Sequence, residues 1–294
     1  MQIGIIGAGK VGCSMGKYIM EHTACKKAGI RVTGYAGRSK ESVETAATFT
    51  GTTAFGSMQD LIKKSDILFI ATPDDAIAAV WEEMKKESME GKTICHFSGS
   101  LSSEIFSGRK ERDVYACSAH PMFAFSSKFT CYEQLNNVFI TMEGDKKALS
   151  RMNRLFELTE NPVCFITPEK KTAYHAAASM ASNMMIGLYE QSLRMFEDCG
   201  FAREEARALI KPLVSDNVKS FLTKTPQEAL TGPIERNDVD TVKKHLSVLS
   251  GRERELYVNL GEILTDLAKS KYPERDYRKM SGILKQQNSA DISD

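Results

Sequence analysis

Lys171, His175, Ser179 and Asn183 stand four residues apart in the stretch KKTAYHAAASMASNMM, which is otherwise almost wholly alanine and methionine. Steps of four advance a helix by about 400°, so each polar group drifts by about 40° and all four share a face roughly 120° wide. From first to last they span about 18 Å, so two or three neighbours could meet one small ligand, but not all four. An ammonium, an imidazole and an amide set against alanine and methionine cost on the order of several kcal/mol unless partners are supplied. A ligand would supply them; so would polar groups of a neighbouring helix or of a second subunit. If the ligand is a carbonyl or imine undergoing reduction, Lys171 or His175 would stabilise and protonate the developing charge while Asn183 and Ser179 hold the substrate. Lys171 stands near the helix start, where it could instead snorkel to solvent and leave His175 as the proton donor.

A reductase needs a reductant, and the other end of the chain offers a place for one. The segment QIGIIGAGKVG is a short apolar strand running into a glycine-rich turn, with Gly7, Gly9 and Gly12 spaced as GxGxxG at the opening of a helix. In that context the first glycine allows a tight turn, the second lets a pyrophosphate approach the backbone and the third lets helix and strand pack closely. The loop Gly7, Ala8, Gly9, Lys10, Val11 and Gly12 is therefore a candidate dinucleotide cradle, a plain glycine turn being the alternative. The end of the second strand lacks the acidic residue that would bind an NAD ribose and reads Arg38, Ser39, Lys40 instead. A guanidinium, a hydroxyl and an ammonium suit a 2′-phosphate, which favours NADP(H); an Arg38 that is simply solvated is the alternative.

Later strands end in polar groups as well. Thr72, Pro73 and Asp74 in ATPDDAI, Ser98 in HFSGS and His120 in SAHPMFAF all fall at strand ends expected to form one rim. Thr72, Pro73, Asp74 and Ser98 are candidates for the cofactor, though Asp74 or Asp75 could equally cap a helix. His96 and His120 are candidates for substrate, and a hydrogen-bonded structural histidine is the alternative for each. In LTGPIERNDVDTVKKHL, Gly232-Pro233 forces a turn, Asn237 and Asp238 can cap the following helix, and Arg236 is presented at the junction. Arg236 could take a substrate carboxylate in two parallel bonds, with Asn237 beside it, or could be an ordinary surface arginine.

The elements that must position these residues follow from periodicity. Strand-like runs at the start of QIGIIGAGKVG and at 31–37, 66–73, 92–99, 113–120 and 137–143 alternate mostly with helical stretches at 11–26, 41–48, 57–64 and 76–88. That alternation predicts an α/β fold with a doubly wound, mainly parallel sheet. From Thr167, a possible N-cap followed by Pro168, helical periodicity runs to Cys199 and Gly200; helices are then expected at 203–224 with a kink at Pro212, 238–250 and 252–270. The expected division is a Rossmann-like half over 1–165, an all-helical half over 166–285 and a polar, disordered tail over 286–294.

Composition narrows the partners. Of 294 residues, 39 are basic and 38 acidic, and no basic stripe is present, which argues against nucleic acid. Seven scattered cysteines without metal-ligand spacing, and no signal-like start, suggest a reducing cytoplasmic setting and no bound metal. No apolar run approaches the ~20 residues of a membrane helix.

In order along the chain, GAGKVG, GRS, TPDD, HFSGS, HPMFAF, YHAAASMASN and LTGPIERNDVDTVKKHL resemble a family of two-domain Rossmann-like oxidoreductases. Its helical C-terminal half is catalogued as a domain of unknown function. The resemblance runs from about residue 2 to 270 and implies an architecture similar to ketopantoate reductases, pyrroline-5-carboxylate reductases and β-hydroxyacid dehydrogenases. Some members of that family are regarded as alternative ketopantoate reductases that make pantoate with NADPH. Ketopantoate reductases place a lysine and asparagines at four-residue steps, so the resemblance carries their roles to Lys171 and Asn183, whereas His175 and Ser179 stand where amides are expected. It implies NADP(H), a small keto acid substrate and a homodimer built through the helical domain.

Overall fold

The computed structural model describes residues 1–285, so the expected tail at 286–294 lies outside the described residues. By internal contacts the chain divides into two compact units, the first Met1–Ser182 and the second beginning at Asn183. That break comes later than residue 165, because the segment after the last strand is hydrogen-bonded back to the sheet through Lys171 and Tyr174.

The first unit is an eight-stranded sheet. Its strands are β1 (Gln2–Ile6), β2 (Arg31–Ala36), β3 (Thr53–Ala54), β4 (Ile67–Ile70), β5 (Thr93–His96), β6 (Tyr115–Pro121), β7 (Ile140–Gly144) and β8 (Val163–Phe165). They lie in the order β3-β2-β1-β4-β5-β6-β7-β8, every pairing parallel except β6 with β7. The doubly wound, mainly parallel sheet read from the sequence is thus present, with two short strands, β3 and β8, that it did not reveal. Successive residues alternate between the sheet's faces: Ile3, Ile5, Ile67 and Phe69 join one apolar cluster, and Ile6, Leu68 and Ile70 join the other. Both faces are therefore covered, as a parallel sheet requires. The chain reverses its strand order between β1 and β4, so their carboxyl ends open the crevice where folds of this kind take ligands.

The single helix of about 32 residues expected from Thr167 is interrupted. A 3-10 turn (Pro168–Lys170) leads into an α-helix (Lys171–Ser179), a π-helical turn (Met180–Met184) and a second α-helix (Met185–Asp198). Asn183 lies within the π turn, where the hydrogen-bond register departs from that of the α-helix carrying Lys171, His175 and Ser179. The alanine and methionine expected to be buried are largely exposed in the single chain, while Lys171 is 1% exposed.

The second unit is helical, with Arg203–Thr223 running through Pro212, then Pro226–Ala229, Val239–Val248, Gly251–Lys271 and Arg278–Lys285. Asp238 caps Val239–Val248 by accepting from the Thr241 amide at 3.0 Å. Asn237 is not a cap but a turn residue at φ +60°, and its amide donates to the Asp276 carbonyl at 2.9 Å. None of the described helices is long and apolar enough to cross a membrane.

Candidate active site at the carboxyl edge of the sheet

The glycine turn divides its labour as the spacing implied. Gly7 has φ +107°, and a side chain there would lie 2.7 Å from the Ala71 backbone at the end of β4. A Cβ on Gly12 would stand 2.2 Å from the Gly7 carbonyl oxygen, so the helix Lys10–Glu21 packs against its strand only because residue 12 is glycine. Gly9, the N-cap, is open: the nearest atom to a Cβ there is the Ala71 oxygen at 4.0 Å. No side chain caps this helix and its first turn holds no acidic residue, leaving the N-terminal amides for an anion. Alongside, the Thr72 hydroxyl is buried with no hydrogen-bond partner among the described residues, as expected of a group awaiting a ligand. These residues fit a dinucleotide.

Arg38, Ser39 and Lys40 are exposed just beyond β2. Ser39 caps the helix Lys40–Thr50 by accepting from the Ser42 amide, which leaves its hydroxyl proton available. Pro73 opens the helix Asp74–Met84 without a side-chain cap, so Asp74 is not engaged in capping. Asp74 instead accepts hydrogen bonds from the hydroxyls of Ser98 at 2.7 Å and Ser100 at 3.0 Å, tying the turn after β5 to the turn after β4.

That Ser98-Gly99-Ser100 turn is the centre of the site. The Ser98 hydroxyl also accepts from the amides of Ser100 and Leu101, and the Lys171 ammonium donates to the Ser98 carbonyl at 2.8 Å. Lys171 therefore neither snorkels nor faces water. Burial lowers its pKa, while the Glu143, Cys95 and Asp74 charges act to raise it. Glu143, itself buried on β7, accepts from the amide and hydroxyl of Ser103 at 2.8 Å each and holds the following turn.

His120, near the end of β6, lies 2.8 Å from the Tyr174 hydroxyl through Nδ1. Burial, then the Lys171 and His175 charges, press its pKa down to about 4, so the ring is neutral at neutral pH. His120 and His175 meet over Gly99 with ring centroids 6.2 Å apart. A Cβ on Gly99 would stand 2.4 Å from Cδ2 of His175 and 2.9 Å from Nε2 of His120.

Of the sequence candidates, the first unit thus brings together Asp74, Ser98, His120, Lys171 and His175. Ser179 closes its helix half-buried, Asn183 is exposed within the π turn, and Arg236 is exposed in the second unit. His96 is fully buried against Phe106; its Nδ1 accepts from the Ser98 amide, its Nε2 has no hydrogen-bond partner among the described residues, and burial depresses its pKa to about 4. Sequence reasoning missed Tyr174, Gly99, Ser100 and Glu143. Tyr174 had a signal, since it follows Lys171 by three residues and so shares its face, but steps of four passed over it.

The fold and this edge define a two-domain protein with a Rossmann-like N-terminal half: a Rossmann-like domain model matches residues 1–121. More particularly, the model of the Domain of unknown function (DUF2520) matches residues 138–263, so the chain joins these two domains in the architecture its motifs resembled. No curated protein matches the sequence. Among solved structures, protein TM1727 from Thermotoga maritima is 24% identical with a TM-score of 0.71, covering 92% of this chain and 99% of its own. An imine reductase variant from Myxococcus stipitatus in complex with NAD+ is 16% identical with a TM-score of 0.59, covering 97% and 99%. Plasmodium falciparum pyrroline carboxylate reductase with NADP bound is 14% identical with a TM-score of 0.53, covering 92% and 98%. These likenesses are of fold.

Proposed function

We propose that the protein is an NADPH-dependent reductase of a small keto acid, with 2-dehydropantoate as the foremost substrate. The observation that carries the reading is the Lys171 ammonium, 1% exposed at the Ser98 carbonyl, among His120, Tyr174 and His175 on the same sheet edge as the glycine turn. Two proteins of this fold hold nicotinamide dinucleotides, which accords with the cradle formed by Gly7, Gly9 and Gly12. Arg38, Ser39 and Lys40 would hold a 2′-phosphate, and Thr72, Pro73, Asp74 and Ser98 would flank the ribose next to the reactive ring. Bound there, a reduced nicotinamide supplies the hydride.

The protein's own part is electrostatic and positional. A buried ammonium favours an oxygen that gains negative charge and disfavours a cationic iminium, which places a keto acid ahead of a cyclic imine such as pyrroline-5-carboxylate. Lys171 also fixes the Ser98-Gly99 turn, and Gly99 in turn sets how closely His120 and His175 approach. Ser179, Asn183 and Arg236 are proposed to hold the substrate on the strength of their sequence positions alone.

We further propose a homodimer formed through the helical unit. There Ile186, Leu213 and Leu222 are 68%, 63% and 74% exposed in the single chain, and a second copy would cover them. Sedimentation at micromolar concentration is expected to give twice the chain mass.

The function is tested by following the absorbance of NADPH with purified protein and a panel of keto acids and cyclic imines. Oxidation with 2-dehydropantoate is expected. Oxidation with the imine alone would transfer the reading to that class, and tight NADPH binding without oxidation would make the protein a sensor rather than an enzyme.

A further inference from the structure

Reduction of a carbonyl needs a proton as well as a hydride, and Lys171 is poorly placed to give one, being buried with its ammonium on the Ser98 carbonyl. One helical step away lies a better-placed acid. Tyr174 is half-buried, its hydroxyl is 2.8 Å from Nδ1 of His120, and the two rings meet edge to face at 86° with centroids 5.6 Å apart. The hydroxyl also donates weakly to the Met122 sulfur at 3.9 Å; burial raises its pKa and a hydrogen bond with Thr141 lowers it, while the Lys171 ammonium stands 5.9 Å from the centre of the ring.

We propose that the Tyr174 hydroxyl donates the proton to the reduced oxygen and that His120 restores it through Nδ1–H, an assignment that rests on the reductase reading above. As the carbonyl carbon accepts a hydride from the reduced nicotinamide, the C=O π pair moves onto oxygen. That oxygen forms its O–H bond as the Tyr174 O–H bond breaks. The phenolate takes the Nδ1 proton of His120, and Nε2 of His120 takes a replacement from water. The nicotinamide is oxidised, the carbonyl is reduced, and one solvent proton is consumed.

Three features suit His120 to this task. It is neutral near pH 7 and so carries one ring proton, which the proposal places on Nδ1 facing the Tyr174 hydroxyl, leaving Nε2 to accept. It projects from β6, whose pairing with β7 fixes His120 opposite Thr141. Its Nε2 lies where a side chain on residue 99 would stand, so Gly99 leaves that nitrogen room.

The test uses Tyr174→Phe and His120→Gln in the full chain. Tyr174→Phe is expected to bind NADPH normally and melt near the wild-type temperature while losing about 100-fold or more in kcat, the scale of general acid catalysis. His120→Gln is expected to lose less in kcat and to enlarge the solvent deuterium isotope effect, which a purely structural role would not do. Without any cofactor, nitrogen NMR of the free protein is expected to show His120 protonated at Nδ1, with that resonance displaced in Tyr174→Phe. An active wild type with Tyr174→Phe within threefold of it, or a His120 protonated on Nε2 alone, overturns the assignment and leaves the reductase reading standing. A wild type inert across the whole substrate panel overturns both.

Discussion

Gly99→Ala is the smallest change that separates the site from the fold. A methyl group there would stand 2.4 Å from Cδ2 of His175, and 2.9 and 3.1 Å from Nε2 and Cε1 of His120. Carbon atoms in ordinary contact keep about 3.5 Å, so the His175 ring must retreat by roughly 1 Å and the His120 ring by about half that. Both contacts are with side-chain ends rather than backbone, so the strain is expected to stay within about 1–3 kcal/mol and the protein to remain folded. Displacing reacting groups by about 1 Å costs on the order of 100-fold in rate. The expected result is a kcat/KM about 100-fold down for 2-dehydropantoate, a melting temperature a few degrees lower and unchanged NADPH affinity. Gly282→Ala is the matched control, because a Cβ there meets nothing within 4 Å. Full activity in a folded Gly99→Ala protein would refute the idea that the two histidines work at Gly99.

Other perturbations follow from the same geometry. Gly9→Ala points into open space and should leave thermal stability intact while weakening NADPH binding at least tenfold by calorimetry; Gly12→Ala meets the Gly7 carbonyl at 2.2 Å and should lower stability as well. Arg38→Ala should weaken NADPH binding roughly 10–100-fold with little effect on NADH, the loss expected for one charged hydrogen-bonding partner; equal losses for both cofactors would place Arg38 elsewhere. His96 and His120 have folded pKa values near 4 against an ordinary 6.5, so the unfolded chain binds protons more readily between those values. Their contribution is therefore complete above about pH 6.5 and is lost as pH falls towards 4, the gap being worth roughly 3 kcal/mol for buried His96. Thermal unfolding from pH 7 to pH 4.5 should show that fall, and His96→Asn should flatten it.

What could be read in the sequence was whatever has a local cause. The glycine turn was legible because glycines at fixed spacing answer local steric demands, met here at Gly7 and Gly12, while Gly9 leaves open space beside the helix start. The parallel strands were legible because burial on both faces leaves continuous apolar runs such as Ile67–Ile70. Strands β3 and β8 were hidden: they are two and three residues long and largely exposed, so they leave no pattern. The π turn at Met180–Met184 was hidden too, since a shift in hydrogen-bond register has no compositional signature. The fate of Lys171 turned on a distant partner, the Ser98 carbonyl 73 residues earlier, which no local rule supplies. Tyr174 was passed over because only the fold brings it to His120, 54 residues away in sequence.

The most direct measurement is to supply 2-dehydropantoate with NADPH carrying deuterium at the transferable C4 position and to analyse the product by mass spectrometry. One deuterium at C2 of pantoate, formed by wild type and sharply reduced with Gly99→Ala, is the expected result. Unreduced 2-dehydropantoate beside intact NADPH, or pantoate without the label, would contradict hydride transfer from NADPH to this keto acid.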